Sequence, residues 1–322
     1  MKTDIPPTEA SAPTEDQRRL LALCTIKGVH WNVLAREAQR PEGMARLLAG
    51  KVAEESRDGQ ATRALLAEGL VSLDQRLEQV EGEIRAAAEV GARLVTVLDD
   101  GYPSNLRVIP KLPPFLFYRG ELHREDARSV AVVGTRRASA EGLERAADLA
   151  RRLVDEQVTV ISGLAKGIDT AAHTAVVDRK ARTIAVIGTG ILHTYPKENA
   201  ELAERILARG AIVSQFWPSA PPTRYSFPMR NEVMSGISQG SVVIEAGRTS
   251  GAKMQARLAL EQGKRAFLMS SLVSGEGWAQ GYVSKRGAIE VESAEDVIRW
   301  LRSPEQVEMQ SIQRSQLALE LV

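Results

Sequence analysis

The spacing of hydrophobic positions changes near residue 129. Before it, apolar residues such as Leu20, Leu21, Leu23 and Ile26 recur at helical spacing, which predicts amphipathic helices. After it, short Val/Ile-rich runs alternate with amphipathic or alanine-rich segments of helical length. The runs that we predict as strands are 129–133, 158–161, 183–187, 212–214, 241–244, 265–269 and 288–291.

The segments between these strands predict crossover helices. Strands rich in Val and Ile that are joined by helices are typical of a parallel sheet covered on both faces. The predicted fold class is therefore α/β: an extended Rossmann-like fold with a mostly parallel sheet, preceded by a small all-helical SAM-like or helix-hairpin-helix domain. The predicted crossover helices are 143–154, 169–177, 198–207, 231–237 and 251–262.

The helical part contains a turn at Lys27-Gly-Val-His30 and a longer helical stretch over 61–89 that Gly91 ends. DNA-binding hairpins usually carry a second glycine where this turn has His30, so packing or partner binding is favoured over DNA contact. Two further strands, 93–98 and 115–118, stand beside several prolines, which predicts an edge position on the sheet. The predicted divisions are a disordered tail (1–14), the helical domain (15–90), the Rossmann-like domain (91–302) and a short C-terminal tail (303–322) that docks on its own body or on a partner.

Composition narrows the function classes. The 322 residues are 43% hydrophobic and 26% charged, with no membrane-length apolar run and no signal-peptide pattern, which predicts a cytoplasmic protein. A single cysteine, Cys24, and four histidines argue against disulfides and a structural metal site. The net charge is 42 − 41 = +1, so affinity for nucleic acid requires a local basic patch.

The glycine-rich stretch from Ser162 to His173 follows a predicted strand and precedes a helix. Gly163 and Gly167 permit a sharp turn and close approach to a ligand, and Lys166 adds a positive charge. With Asp169 as N-cap, free amides at the helix start favour an anion, so a phosphate is the predicted ligand.

Similar residues follow the other strands. In an open parallel sheet, ligands bind beyond the carboxyl ends of the strands. Glycines, hydroxyls and basic residues collect there although the whole chain is nearly neutral, which favours a phosphorylated ligand over a purely structural role. These segments are Gly134-Thr135-Arg136-Arg137, Gly188-Thr189-Gly190, Tyr195 to Asn199, Phe227-Pro-Met-Arg230-Asn231, and Glu245 to Lys253 with Ser250 and Gly251.

Common nucleotide and catalytic motifs are missing from the sequence. Neither a Walker A motif nor the dinucleotide fingerprint occurs, and no Ser-His-Asp or metal constellation is evident. We therefore expect no cofactor, no metal and no enzymatic activity. His173 is better explained as a structural histidine than as a catalyst, and Glu245 is either a base or a cap for a loop amide. A basic, glycine-rich groove of this kind suits an extended polyanion.

Taken together, these loops resemble the DNA-processing protein A family (DprA, also called Smf). The matching segments are Val132-Val-Gly-Thr-Arg136, Ser162-Gly-Leu-Ala-Lys-Gly-Ile-Asp-Thr-Ala-Ala-His173, Thr183 to Gly190, Tyr195-Pro-Lys-Glu-Asn199 and Phe227-Pro-x-Arg-Asn231. The resemblance covers roughly residues 15–300.

The resemblance implies a protein of DNA recombination that binds single-stranded DNA, hands it to a RecA recombinase in natural transformation, and forms a homodimer without enzymatic activity. It implies that Arg136, Lys166, Arg230 and Asn231 face DNA phosphates. The full predicted set for DNA or phosphate is Gly134, Thr135, Arg136, Ser162, Gly163, Lys166, Gly167, Gly188, Gly190, Arg230, Asn231, Ser250, Gly251 and Lys253.

The chain departs from the family pattern at Met229 and Glu232, where members usually carry arginine, and at Met269-Ser-Ser271. These losses, the exposed-looking Phe216-Trp217 and the apolar tail leave a second hypothesis open: a regulator of antiviral defence, or an antitoxin, that acts through a co-encoded partner protein. A third, a nucleotide phosphoribohydrolase-like enzyme, lacks its Pro-Gly-Gly-x-Gly-Thr signature here.

Overall fold

A nine-stranded sheet lies at the centre of the part of the chain that the computed structural model describes, residues 12–320 without the side chains of 314–320. The strand order is β1-β2-β6-β5-β4-β3-β7-β8-β9. The strands are β1 Arg93–Thr96, β2 Phe115–Gly120, β3 Ser129–Val133, β4 Thr159–Ser162, β5 Thr183–Val186, β6 Ala211–Ser214, β7 Gly240–Val243, β8 Arg265–Met269 and β9 Ile289–Val291.

Seven of these strands run parallel, from β6 across the sheet to β9, while β1 and β2 add an antiparallel edge. All residues of β3 to β7 are buried, as expected for strands covered on both faces. The predicted mostly parallel α/β sheet is therefore confirmed. The predicted edge position is right for β1, whereas β2 lies one strand further in.

Five helices precede the sheet: α1 Glu15–Cys24, α2 Trp31–Ala38, α3 Gly43–Leu48, α4 Arg57–Gly69 and α5 Leu73–Glu89. The turn before α2 has Gly28 at φ +84°, and the Nδ1 of His30 lies 3.6 Å from Asp58. The helix predicted over 61–89 is interrupted after Gly69. A Cβ at Gly69 would lie 2.7 Å from the Cγ1 of Ile26, so the chain needs glycine where the end of α4 packs against the segment after α1.

An aromatic cluster joins the helices to the sheet. Trp217, just after β6, lies 4.9 Å from Phe115 of β2 and 6.2 Å from Trp31 of α2 between ring centroids. The sequence expectation that Phe216-Trp217 is exposed was therefore wrong, since both residues are partly buried. The indole covers apolar rings that β2 and α2 would otherwise leave in water.

Helices cover both faces of the sheet after β3. The crossover helices are α6 Ala140–Asp155, α7 Ile168–Asp178, α8 Ala200–Leu207, α9 Ser226–Ile237 and α10 Gly251–Glu261. Four of them lie close to their predicted bounds. α9 begins earlier than predicted, so Phe227 and Arg230 lie on a helix and not in a loop.

Two helices after β8 were not predicted from the sequence. They are α11 Ser270–Gly275 and α12 Gly277–Arg286. α13 Ala294–Ile298 and α14 Pro304–Glu320 then complete the described chain. α14 contacts residues 124–127, where Arg124 and Glu308 form an ion pair, and Val307 of α14 is buried, so the predicted C-terminal tail docks on its own body. Of the predicted N-terminal tail, residues 1–11 lie outside the described residues, and Thr14 caps α1.

Candidate functional site

The carboxyl ends of β3, β4 and β7 surround an open cavity of about 470 Å³, the central cavity. Its walls are the loop after β3, the start of α7, one side of α9 and the loop and first turns after β7. These segments are far apart in sequence and meet because neighbouring parallel strands end at the same sheet edge. The predicted residues that line it are Gly134, Thr135, Arg136, Arg230, Asn231, Ser250 and Gly251.

Asp169 organises the loop after β4 from within. The predicted N-cap role was wrong, because Gly167 at φ +80° is the N-cap and Asp169 lies in the first turn of α7. Its Oδ2 accepts the backbone N–H groups of Gly163 (3.1 Å) and Ala165 (3.3 Å). These amides hold the loop in shape and are not free for an anion. Burial raises the pKa of Asp169, while the charge of Arg230 and the two amide bonds oppose that rise.

Glycine is required at two positions of this loop. A Cβ at Gly163 would overlap the guanidinium of Arg230, and one at Gly167 would lie 2.8 Å from the carbonyl oxygen of Arg136. The first contact brings the Arg230 side chain of α9 against the loop after β4, and the second brings the backbone of the loop after β3 against the start of α7. The close approach that the sequence suggested is therefore made to protein atoms.

Lys166 lies beside the central cavity on a second small pocket of about 60 Å³ that Gly163, Gly188 and Tyr195 also line. Its Nζ lies 2.5 Å from the Oε1 of Glu198, and both side chains are exposed. The hydrogen bond from Lys166 lowers the pKa of Glu198. Because an exposed pair is worth little, a phosphate can replace this carboxylate at small cost.

Arg136 stands exposed between the two pockets. Its guanidinium lies 5.4 Å from the ring centroid of Phe227, and the ring of Tyr195 lies 5.5 Å from that of Phe227. Tyr195 is 42% exposed. We call Tyr195 and Phe227 the aromatic rim. Sequence reasoning missed their role, although both residues stand in the segments after β5 and before β7 that it singled out.

Arg230 forms the floor of both pockets and is only 5% exposed. Its Nη1 donates to the carbonyl of Val186 (3.0 Å), and its Nε finds no hydrogen-bond partner within the described residues. Burial lowers the pKa of Arg230, and the charge of Asp169 opposes this. Asn231, next on α9, lies with its Nδ2 3.4 Å from the carbonyl oxygen of Gly251.

The remaining predicted residues either hold neighbouring segments of the protein in place or lie away from the centre of the pockets. Ser162 is buried and donates to the Val132 carbonyl (2.6 Å), and a Cβ at Gly188 would lie 2.8 Å from the Cδ1 of Phe227. Gly190 packs under Trp217 and Pro218, away from both pockets. Ser250 caps α10, and the Nζ of Lys253 lies 5.6 Å from the Trp278 ring centroid.

Neither departure on α9 lies among the residues that line the two pockets. Glu232 pairs with Lys111 (Oε1–Nζ 2.7 Å) and lies 3.3 Å from the Nε2 of Gln262. Met229 is 49% exposed on the outer side of the helix. The charge change at Glu232 is therefore directed away from the central cavity.

Glu245 caps the loop after β3. Its Oε2 accepts the backbone N–H (3.1 Å) and the hydroxyl (3.0 Å) of Ser139, and its backbone carbonyl accepts the N–H of Thr135 (2.7 Å). Of the two roles that the sequence left open, these bonds match the cap. They also connect the loops after β3 and β7.

His173 is fully buried on α7. The hydroxyl of Thr183 donates to the Val160 carbonyl (2.7 Å), so it accepts the Nδ1–H of His173 (2.8 Å), and Nε2 has no hydrogen-bond partner among the described residues. Burial lowers the pKa of His173 to about 3 from 6.5. A neutral, enclosed ring matches the structural role inferred from the sequence.

This pKa predicts a stability change with pH. His173 contributes its full stabilisation above about pH 6.5, and the contribution is lost as the pH falls towards 3, at about 1.4 kcal/mol per pH unit. We expect urea unfolding of His173→Gln to show a pH slope shallower by about that amount between about pH 6 and 4. Equal slopes for the wild type and His173→Gln would contradict the prediction.

Within the described residues, no group of three or more His, Cys, Asp or Glu side chains is placed to hold a metal ion. Nor does any described helix combine the length and apolar character needed to cross a membrane.

Comparison with known proteins gives evidence on the family of this chain that does not depend on the geometry of the site. The sequence profile of the family described as "DNA recombination-mediator protein A" matches residues 93–302. The DNA processing protein DprA of Streptococcus pneumoniae is 38% identical over 204 residues, which cover 63% of this chain and 72% of the relative. DprA of Bacillus subtilis is 32% identical over 232 residues, covering 71% and 78%.

Solved structures of proteins with the same family name share the fold of this chain. The crystal structure of DprA from S. pneumoniae superposes with a TM-score of 0.65 at 28% identity, covering 89% of this chain and 93% of that one. DprA from Helicobacter pylori, reported for its single-stranded DNA binding mode, gives a TM-score of 0.57 at 24% identity over 64% of this chain and 94% of its own. That second likeness is one of fold.

Proposed function

The chain belongs to the DNA recombination-mediator protein A family, and from that premise we propose that it binds single-stranded DNA across the central cavity. The observation that carries the proposal is the exposed guanidinium of Arg136 against the aromatic rim, above the buried guanidinium of Arg230. Single strands are held by cations along the backbone and by aromatic faces that stack on bases. Both kinds of group meet here.

The charge distribution supports a strand in preference to a small phosphorylated molecule. The positive groups are spread over neighbouring loops, with Arg136 and Arg137 after β3, Lys166 after β4, and Arg248 and Lys253 after β7. A small anion would be surrounded by converging donors, whereas the amides of Gly163 and Ala165 are already bonded to Asp169. An extended backbone contacts successive cations along such a line.

We extend the proposal, as the family resemblance implies, to loading a RecA-type recombinase on the bound strand by a homodimer. Light scattering at several protein concentrations tests the dimer. Assembly of a RecA-type recombinase on a single strand, followed with and without the protein, tests the loading step. An assembly rate that the protein does not change would contradict loading without contradicting DNA binding.

Arg136→Ala is expected to weaken binding of a labelled oligothymidylate about tenfold. The change removes one phosphate contact, so the slope of log K against log salt falls in magnitude by about 0.7. Fluorescence anisotropy over a series of salt concentrations measures both quantities.

Arg179→Ala is the matched control, because this exposed arginine at the end of α7 pairs with Asp155 (Nη1–Oδ1 2.7 Å) away from the pockets. It should leave the affinity and the salt slope unchanged. If Arg136→Ala behaves like Arg179→Ala, the central cavity is not the binding site.

The structure weakens two reasons for the alternative of a partner-dependent regulator. Trp217 packs into the aromatic cluster with Trp31 and Phe115, and Glu232 pairs with Lys111 outside the cavity. Exposed Met309 and Ile312 on α14 remain as an apolar surface.

A further inference from the structure

We infer that the indole of Trp278 forms a second base-stacking subsite for single-stranded DNA, on the side of the central cavity opposite the aromatic rim. This inference rests on the proposed function and extends it along the strand. Trp278 lies on α12, one of the helices that sequence reasoning missed.

The indole is fixed against the loop that follows β7. Its Nε1 donates to the carbonyl of Ala246 (3.1 Å), and its ring meets that of Tyr282 edge-on at 5.3 Å. Trp278 as a residue is nevertheless only partly buried. A rigidly held, partly exposed indole is the kind of surface on which bases stack at low entropic cost.

The same loop connects this ring to the cavity wall. The carbonyl of Glu245 accepts the N–H of Thr135 (2.7 Å), and the carbonyl of the next residue, Ala246, accepts from Trp278. Consecutive peptide groups thus hold the wall and the indole in one arrangement. In the sheet, β7 lies between β3 and β8, so the loop after β7 stands between the cavity wall at Thr135 and the helices that follow β8.

A cation accompanies the ring, as at the aromatic rim. The Nζ of Lys253 lies 5.6 Å from the indole centroid, and the guanidinium of Arg286 lies 5.0 Å from the centroid of Tyr282. Lysine is a mobile point charge on a flexible stem. When a base stacks on the indole, the ammonium of Lys253 moves to the adjoining phosphate. Single-stranded DNA thus contacts an aromatic ring beside a cation on each side of the central cavity.

The length dependence of binding tests this inference. For the wild type, affinity rises with oligothymidylate length over about 4 to 16 nucleotides. Trp278→Ala should bind the shortest oligomers as the wild type does and the longer ones about tenfold more weakly. Trp278→Phe, which keeps an aromatic ring, should recover most of the difference, which a purely destabilising change would not allow.

Tryptophan fluorescence provides a second measurement. Stacking quenches the indole, so quenching by long oligomers should be largely lost in Trp278→Phe. Trp300→Phe is the matched control, because Trp300 is 42% exposed and also carries a cation, Arg265, at 4.0 Å, but Arg265 begins β8 at the other sheet edge. It should keep the wild-type quenching.

The outcomes separate this inference from the function on which it rests. If no oligomer of any length binds the wild type, the proposed function fails. If oligomers bind and Trp278→Ala keeps the full gain of affinity with length, the subsite alone is refuted. Equal quenching in the wild type and Trp278→Phe would also refute it.

Discussion

Gly163→Ala is expected to lower the free energy of unfolding by about 4 kcal/mol and to abolish binding of single-stranded DNA. The new Cβ would overlap Nη1 of Arg230 and lie 2.6 Å from its Nη2. This guanidinium is buried and donates to the Val186 carbonyl, so it cannot move without losing that bond. Overpacking costs about 1–3 kcal/mol, and an unpaired buried donor costs a similar amount.

Binding should suffer as well, because the loop from Gly163 to Lys166 lies between the two pockets. Urea unfolding and anisotropy with a labelled strand measure the two effects. Gly82→Ala is the control: its Cβ meets no described atom within 4 Å in the middle of α5, and it should stabilise the protein by about 0.5–1 kcal/mol.

A second variant shows whether Arg230 is the obstacle. In an Arg230→Met background, the flexible thioether yields to the new methyl group, so the cost of Gly163→Ala should fall by at least about 1 kcal/mol. Equal costs in both backgrounds would mean that the strain lies elsewhere in the loop.

The sheet was the most predictable part of the molecule. Strands such as β3 and β7 are buried on both faces, so their sequences, SVAVV and GSVV, are short runs of Val and small residues without charged side chains. The segment 270–286 carries no comparable signal, because its serines and glycines, among them Gly277 and Gly281, have low helix propensity. α11 and α12 form there through packing of Leu272, Val273 and Ala279, which only the folded chain shows.

The site was predictable in place but not in detail. The segments at the strand ends do meet around a cavity, because parallel topology dictates it. The sequence does not give the orientation of a side chain, so it predicts the same role for Arg230 and Arg136. In the structure Arg230 is buried at the floor of the pockets, whereas Arg136 is exposed. For the same reason the sequence predicts Asp169 as a helix cap, although its carboxylate accepts backbone N–H groups of the loop before the helix.

Charge counting along a motif was also misleading. Met229 and Glu232 predicted a weakened groove, but residues one or two positions apart on a helix do not face the same side, and these two stand one or two positions from Arg230 and Asn231. Once α9 is seen to begin at Ser226, Arg230 and Asn231 face the cavity while Glu232 pairs with Lys111. The basic character of the site therefore survives the substitutions that the sequence made most conspicuous.

Asp126→Asn is expected to lower the free energy of unfolding by about 3 kcal/mol without changing DNA affinity. The carboxylate of Asp126 is buried and pairs bidentately with Arg182, both N–O distances being 2.6 Å. It also accepts the N–H of His123 (2.8 Å) and the hydroxyl of Thr159 (3.2 Å). An amide of the same shape turns an NH₂ towards a guanidinium N–H in either orientation.

The exposed pair of Asp155 and Arg179 provides the control, since Asp155→Asn should change stability by less than about 0.5 kcal/mol. Asp126 lies where β3, β4 and β5 begin, at the edge opposite the cavity. If single-stranded DNA binds at the carboxyl edge of the sheet and the amino edge serves only the fold, Asp126→Asn should lower stability without changing DNA affinity. Gly163→Ala should reduce both. A fall in the DNA affinity of correctly folded Asp126→Asn would indicate DNA contacts at the amino edge of the sheet and would contradict the proposed site.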